Sequence, residues 1–197
     1  MKTFAAILFS ILFTTTSKAQ DSTEYYYQIP DYPNSFNAGT VAARLVDGLG
    51  FRYYWATVGL RAEDLNYRPS PEARTASETI DHIFGLTNVL VNSTKQLPND
   101  FTKEDEEELN FEEKRARTLK NIEEASKILR ESSAEDLETY KIIFITSKGK
   151  SEYPFWNQLN GPIADAIWHV GQIVSFRRAS GNPFNSNVSV LRGALRN

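Results

Sequence analysis

The chain contains no cysteine, one methionine and two histidines among its 197 residues. The absence of cysteine excludes disulfides, thiolate zinc sites, a cysteine nucleophile and a lipid-modified N-terminal cysteine. The chain also lacks an excess of positive charge, because 25 acidic residues outnumber 22 basic ones, and this argues against nucleic-acid binding. With 41% hydrophobic and 24% charged residues, the composition is typical of a globular domain stabilised by its core.

The N-terminus has the pattern of a secretory signal peptide. Lys2 precedes an apolar run from Phe4 to Phe13, and Ser17-Lys18-Ala19 forms a cleavage pattern before Gln20. The run is shorter than the roughly 20 apolar residues of a transmembrane helix. We therefore expect an exported protein, periplasmic or secreted, cleaved near Ala19 and not inserted in the membrane. An anchored N-terminal helix is the alternative. Residues 1–19 carry two lysines and no acid, so cleavage changes the net charge from −3 to −5.

Four segments show the hydrophobic spacing of amphipathic helices. The predicted helices run from about Phe36 to Leu60, from Ala76 to shortly before Pro98, from Lys103 to Glu131, and to Ala179 from Pro162 or as early as Phe155. The acidic run Glu104–Glu108 suits the positive end of the third helix dipole, so a solvated helix start is favoured over a cation site.

Two helix ends have specific sequence signals. Thr75 and Glu78 fit a capping box that starts the second helix. Gly181 suits a left-handed cap at the end of the fourth, and Pro183 prevents its continuation. A β-branched and aromatic stretch at 140–146, followed by a turn at 147–150, predicts a short hairpin or an extended crossover between the third and fourth helices.

These elements predict an all-α domain, a four-helix bundle over residues 35–183 with a long crossover between helices three and four. Residues 20–34 precede it as an extended arm, whose Tyr25-Tyr26-Tyr27 packs onto the bundle or forms a binding patch. Residues 184–197 follow as a mostly irregular tail.

The two histidines lie on different predicted helices. Asp165 and His169 are four residues apart, so they project from one face of the last helix, and His82 lies on the flank of the second. If these helices pack side by side, two imidazoles and a carboxylate can hold one divalent ion and leave positions open. Alternatively, both histidines are ordinary packed residues, and Asp165 pairs with His169 or the helix dipole.

Three segments together resemble the DinB-like family. They are Leu60–Pro69, the helix that begins at Ala76 and contains His82, and His169–Val174 with Arg178–Pro183. The resemblance covers about Phe36 to Pro183. It implies a four-helix bundle holding a divalent metal through three side chains, usually all histidine. His82 and His169 match two of these ligands, and Asp165 stands where the family commonly has its other histidine.

The resemblance implies a metal-dependent hydrolase or transferase of unknown substrate. Zinc is the first candidate metal, and nickel, iron or manganese also suit two histidines and one carboxylate. Thiol transfer, known in the family, fits poorly with export because small thiol cofactors are intracellular. The catalytic residues remain unknown. Gln172 would orient a ligand or substrate, and Glu78 is either a proton acceptor or only the capping partner.

Three aromatic residues, Tyr53, Trp55 and Trp168, either wall a pocket or pack in the core. The alternative function is a non-catalytic bundle that binds a metal or small ligand or pairs with a second copy as a homodimer. A fold resemblance does not transfer a reaction, so both functions stay open.

Overall fold

The computed structural model describes residues 25–103 and 108–196, which are mostly helical with a few short strands. The helices are α1 (Ala38–Thr57), α2 (Ala62–Asn66), α3 (Ala76–Thr94), α4 (Phe111–Glu131), α5 (Ala134–Thr139), α6 (Trp156–Gln158) and α7 (Ala164–Ala179). The strands are β1 (Asn99–Asp100), β2 (Lys141–Thr146), β3 (Gly149–Pro154), β4 (Val188–Ser189) and β5 (Ala194–Leu195). The helical prediction is confirmed, and the strands go beyond an all-α class.

The start of α3 follows the predicted capping box. Thr75 Oγ1 accepts from the Glu78 backbone N–H at 3.1 Å, and Glu78 Oε2 accepts from the Thr75 N–H at 2.7 Å. These two bonds satisfy backbone donors that the first helical turn leaves unpaired.

The prediction that the third long helix begins at Lys103 was wrong. The helix α4 begins at Phe111, where Asn110 and Glu113 form a capping box of their own at 3.0 and 3.1 Å. Asparagine is among the strongest N-cap residues, and this signal outweighs the acidic run before it. Residues 104–107 of that run lie outside the described part of the chain.

The last helical segment begins at Trp156, next to Phe155, the earlier of its two predicted starts. The turn α6 leads into a wide turn at Leu159–Ile163 and then into α7. Gly161 interrupts the helical backbone with φ −98° and ψ −109°, just before Pro162, which has no N–H to donate. At the other end, Gly181 adopts φ +83°, as predicted for a left-handed cap.

The four long helices pack in a ring, each against two others: α1 against α4, α4 against α3, α3 against α7, and α7 against α1. The core between them is aliphatic and aromatic. Its largest fully buried side chains include Leu49, Phe51, Tyr53, Ile80, Ile83, Leu90, Leu119, Ile122, Leu129, Ile163 and Ile173. Burial of this surface supplies the main driving force for folding.

The helices α3 and α4 run in the same direction. Lys114 pairs with Asp81, and one heptad further along both helices Asn121 Nδ2 donates to Asn88 Oδ1 at 2.6 Å. The segment 95–110 therefore joins opposite ends of two neighbouring helices. The long connection predicted between the third and fourth long helices is also present, from Ser132 to Phe155.

The helices α3 and α7 run in opposite directions. Gln158, before α7, donates to the Val89 carbonyl at 3.0 Å, in the C-terminal half of α3. Phe176, near the end of α7, packs at 5.8 Å against Tyr67, whose carbonyl accepts from Ala76 at the start of α3. This antiparallel pairing places the N-terminal half of α3 opposite the middle of α7.

The hairpin predicted between α4 and α7 is present. Strands β2 and β3 pair antiparallel from Lys141↔Pro154 to Thr146↔Gly149. Strand β1, which the sequence did not predict, adds to the other edge of β2 in parallel, with Asn99 opposite Phe144. The crossover after α3 is therefore tied to the hairpin by a short sheet.

The N-terminal arm packs onto α1. Tyr26 lies in a short 3-10 turn, is fully buried, and donates to Asp47 at 3.1 Å. Trp55 Nε1 donates to the Tyr27 carbonyl at 3.1 Å, and the Ile29 N–H donates to the Gly193 carbonyl at 2.7 Å. The tyrosines thus pack against the helices, and the arm also contacts the C-terminal tail.

The predicted signal peptide, residues 1–19, and residues 20–24 of the arm lie outside the described residues. Within the part of the chain that is described, none of the helices combines the length and apolar character needed to span a bilayer.

Candidate metal centre

His82 lies in the second turn of α3, beside the stripe of buried residues that faces the core. Its neighbour Ile83 is fully buried, whereas the His82 side chain is 34% exposed. This flank position follows from the helical period, which places residue 82 next to the apolar face and toward α7. The side chain can therefore meet α7 and still reach solvent.

Asp165 and His169 lie one turn apart on α7, at the level of His82. His82 Nε2 is 3.2 Å from Asp165 Oδ2, and His169 Nε2 is 3.3 Å from Asp165 Oδ1. The two imidazole rings meet edge to face, with centroids 4.7 Å apart and planes at 89°. The carboxylate thus lies between the two imidazoles, with one oxygen toward each.

The ligand atoms of these three residues all lie within 4.8 Å of one another. Ligands about 2.1 Å from a common ion are separated by about 3.0–3.5 Å. The two measured nitrogen–oxygen separations fall within this range. These two separations end on different oxygens of Asp165. The cluster therefore has the donor atoms of a three-ligand metal site, gathered within 4.8 Å.

Gln172 holds the other nitrogen of His169. His169 Nδ1 donates to Gln172 Oε1 at 2.9 Å, so in the neutral ring the unprotonated nitrogen is Nε2. That nitrogen faces the Asp165 carboxylate, which is also an acceptor when ionised. Two acceptors 3.3 Å apart need a proton or a metal ion between them. This local electrostatic requirement fits a cation site.

The centre lies at the surface, with the His82 and Asp165 side chains each about one third exposed. A cavity of about 940 Å³ lies between α3 and α4, and another of about 630 Å³ lies between the arm and α1. Neither is lined by His82, Asp165 or His169. Solvent reaches about a third of the Asp165 side chain, so water or a small ligand has access to the cluster.

Glu78 does not approach the cluster as a proton acceptor. Its carboxylate accepts from the Thr75 backbone, which lowers the Glu78 pKa, and lies 3.7 Å from Arg68. The capping alternative from the sequence is the one that the geometry supports.

The three aromatic residues suggested as pocket walls separate into two groups. Tyr53 and Trp55 are buried in the core, at 0% and 6% exposure, as the packing alternative predicted. Burial raises the pKa of Tyr53 to about 12. Trp168, which directly precedes His169, is 72% exposed, so it is neither packed in the core nor a pocket wall.

A second carboxylate cluster, which the sequence did not reveal, fixes the far end of α7. Asp64 accepts from Arg61 at 2.9 and 3.0 Å, from Ser180 at 2.6 Å and from Asn182 at 2.7 Å. The hydrogen bonds from Arg61, followed by those from Ser180 and Asn182, hold the pKa of Asp64 well below its ordinary value. The spacing Arg61-x-x-Asp64 at a helix start was the only local signal.

Arg177 attaches α7 to the end of α1. Its guanidinium donates to the carbonyls of Trp55, Ala56 and Val58 at 3.0–3.1 Å. The carbonyls of Trp55 and Ala56 belong to the last turn of α1 and that of Val58 to its C-cap, where helical partners are lacking. Together with the Asp64 cluster, this bond set fixes the position of α7, and with it the direction of Asp165 and His169.

Comparison with known proteins adds one solved structure. No family model matches the chain, and no curated protein matches it. The crystal structure of a DinB-like protein, YjoA, from Bacillus subtilis is similar, with 15% identity and a TM-score of 0.45, over 82% of this chain and 93% of that one. A likeness at this level establishes no activity, so function has to be argued from the residues of this chain.

Proposed function

We propose that this chain is an exported DinB-like protein that binds one divalent metal ion through His82, Asp165 and His169. The observation that supports the metal site is the convergence of three ligand atoms from α3 and α7 within 4.8 Å. We further propose that the protein is a metal-dependent hydrolase or transferase of unknown substrate. The ring of four long helices is then a DinB-like four-helix bundle, with its metal between α3 and α7.

The donor set favours zinc, with nickel, iron and manganese as further candidates. Two imidazole nitrogens and a carboxylate oxygen are borderline ligands that suit these ions, and three protein ligands leave at least one position open. A carboxylate in place of a third imidazole adds one negative charge, which makes the ion a weaker Lewis acid. When bound, a divalent ion supplies Lewis-acid chemistry and a nucleophile at neutral pH.

The alternative is a non-catalytic protein that holds a metal or small ligand, alone or as a homodimer. The exposure of the site favours the enzyme, because solvent reaches about one third of the Asp165 and His82 side chains. Spectroscopy of the cobalt-substituted protein separates the two functions. An exchangeable water on the metal supports the enzyme, and a saturated coordination sphere supports the binding protein.

Metal analysis of the purified mature protein tests the site. We expect one ion per chain in the wild type and loss of the ion in His82→Ala and His169→Ala, with helicity retained. Asp81→Asn is the matched control, because Asp81 directly precedes His82 but pairs with Lys114 on α4. Equal metal content in all four proteins would end the proposal.

Export is tested separately. Expression of the full chain in a bacterial host, followed by N-terminal sequencing of the mature protein, should give Gln20 as the first residue. A chain that keeps residues 1–19 and stays with the membrane fraction would instead support the anchored alternative.

A further inference from the structure

The two imidazoles of the site differ in how they are held. His169 is 13% exposed, and its Nδ1 donates to Gln172 Oε1 at 2.9 Å. His82 is 34% exposed, and its Nε2 lies toward Asp165. Within residues 25–103 and 108–196, no hydrogen bond holds the Nδ1 of His82. The site therefore has one oriented imidazole and one that only the metal and Asp165 can orient.

We infer that Gln172 is a positioning residue of the metal site, an inference that rests on the proposed function. An amide oxygen is an acceptor only, so the ring nitrogen that faces it must carry the proton. In the neutral imidazole, this leaves the lone pair on Nε2, the nitrogen that faces Asp165. Gln172 thus selects the tautomer of His169 that can bind a metal, without contacting the metal itself.

Asp165, His169 and Gln172 form a half-site on a single helix. They occupy positions i, i+4 and i+7 of α7, which lie along one face. Arg177 and the Asp64 cluster anchor the C-terminal end of the helix that carries this half-site. His82 then completes the site from the neighbouring helix as the less constrained ligand.

Metal affinity tests the inference through Gln172→Ala and Gln172→Glu. We expect Gln172→Ala to weaken zinc binding about 10- to 100-fold, as for other partners that orient a metal ligand. Gln172→Glu keeps an acceptor oxygen and should keep at least the wild-type affinity. Ser175→Ala is the control, because Ser175 lies on the same helix and its hydroxyl donates to the Gly171 carbonyl at 3.1 Å, away from the cluster's hydrogen bonds. Unchanged affinity in Gln172→Ala would overturn the inference.

The tautomer of His169 provides a readout that does not need metal. Two-dimensional nitrogen–proton NMR of the metal-free protein, at a pH high enough that both imidazoles are neutral, should show one histidine in the Nδ1–H form in the wild type and in Gln172→Glu. In Gln172→Ala, both histidines should show the Nε2–H form. A wild-type His169 in the Nε2–H form would contradict the inference. If the wild type binds no zinc, the proposed function fails, whereas this spectrum still decides the role of Gln172.

Discussion

Two carboxylate clusters hold α7, one at each end, and they are built differently. At the C-terminal end, the Asp64 side chain is fully buried and accepts from a guanidinium, a hydroxyl and an amide. At the N-terminal end, Asp165 is about one third exposed and lies between two imidazoles. Both oxygens of the Asp64 carboxylate accept hydrogen bonds from the guanidinium, hydroxyl and amide groups. The Asp165 carboxylate faces Nε2 of both histidines. In the neutral tautomer of His169, this nitrogen has a lone pair and no proton.

The difference separates a structural cluster from the proposed metal site. A buried carboxylate costs several kcal/mol unless donors surround it, and the donors of Asp64 offset this cost without help from outside the chain. Asp165 is partly exposed and lies beside the ring nitrogens of His82 and His169. Its negative charge is balanced only when a cation lies between these groups. Removing Asp64 should therefore affect folding, and removing Asp165 should affect binding.

The largest expected effect is on the folding side of this comparison. Asp64→Ala removes the charged acceptor shared by Arg61, Ser180 and Asn182 and leaves a cavity at a fully buried position, so it should lower the free energy of unfolding by about 2–3 kcal/mol. The half-exposed Arg61 can return to water, which limits the loss. Urea denaturation measures the effect, and the folded fraction should still bind zinc. A loss below about 0.5 kcal/mol would contradict the structural role.

The next effect is on the binding side. Zinc at one hundred times its dissociation constant should stabilise the wild type by about 2.7 kcal/mol and should not stabilise Asp165→Ala. Without metal, the same substitution should change stability by less than about 1 kcal/mol, because the side chain is partly exposed. Urea denaturation with and without zinc gives both numbers. An equal zinc effect in the two proteins would exclude Asp165 as a ligand.

Acid should weaken the Asp64 cluster in a defined direction. The folded pKa of Asp64 lies below its unfolded value of about 3.9, so its contribution is complete above that pH and is lost as pH falls through the folded pKa. The stability difference between wild type and Asp64→Asn should thus be constant near neutral pH and shrink below about pH 4. A stability difference that grows as the pH falls would contradict the lowered pKa of Asp64.

The smallest effect concerns Glu78, one turn before His82. Glu78→Gln should lower stability by about 0.5–1 kcal/mol, because the amide is a weaker capping partner than the carboxylate. Zinc affinity should not change, since Glu78 is held by the Thr75 backbone. Thermal denaturation and zinc titration check the two parts. Reduced zinc affinity would place Glu78 in the site after all.

The helical period explains why much of this could be predicted from sequence. The positions of His82, Asp165 and His169 on their helix faces follow from spacing alone, and Thr75 and Gly181 mark helix ends through local chemistry. The grouping of the three residues needed one further assumption, that the second and last helices are neighbours. That assumption is satisfied by the packing of α3 against α7.

Features that depend on distant partners could not be predicted. The parallel direction of α3 and α4 is set by pairs such as Asn88 and Asn121, which no local pattern connects. Asp64 appeared only as part of a connector, because its donors Ser180 and Asn182 lie more than one hundred residues away. The start of α4 was missed because an acidic run resembles a first helical turn.

Calorimetric titration of the metal-free mature protein with zinc tests the central claim most directly. The wild type should bind one ion per chain, Asp81→Asn should match it, and Asp165→Ala should show no binding at the same concentrations. No binding to the wild type, or binding to Asp165→Ala that equals it, would contradict the account.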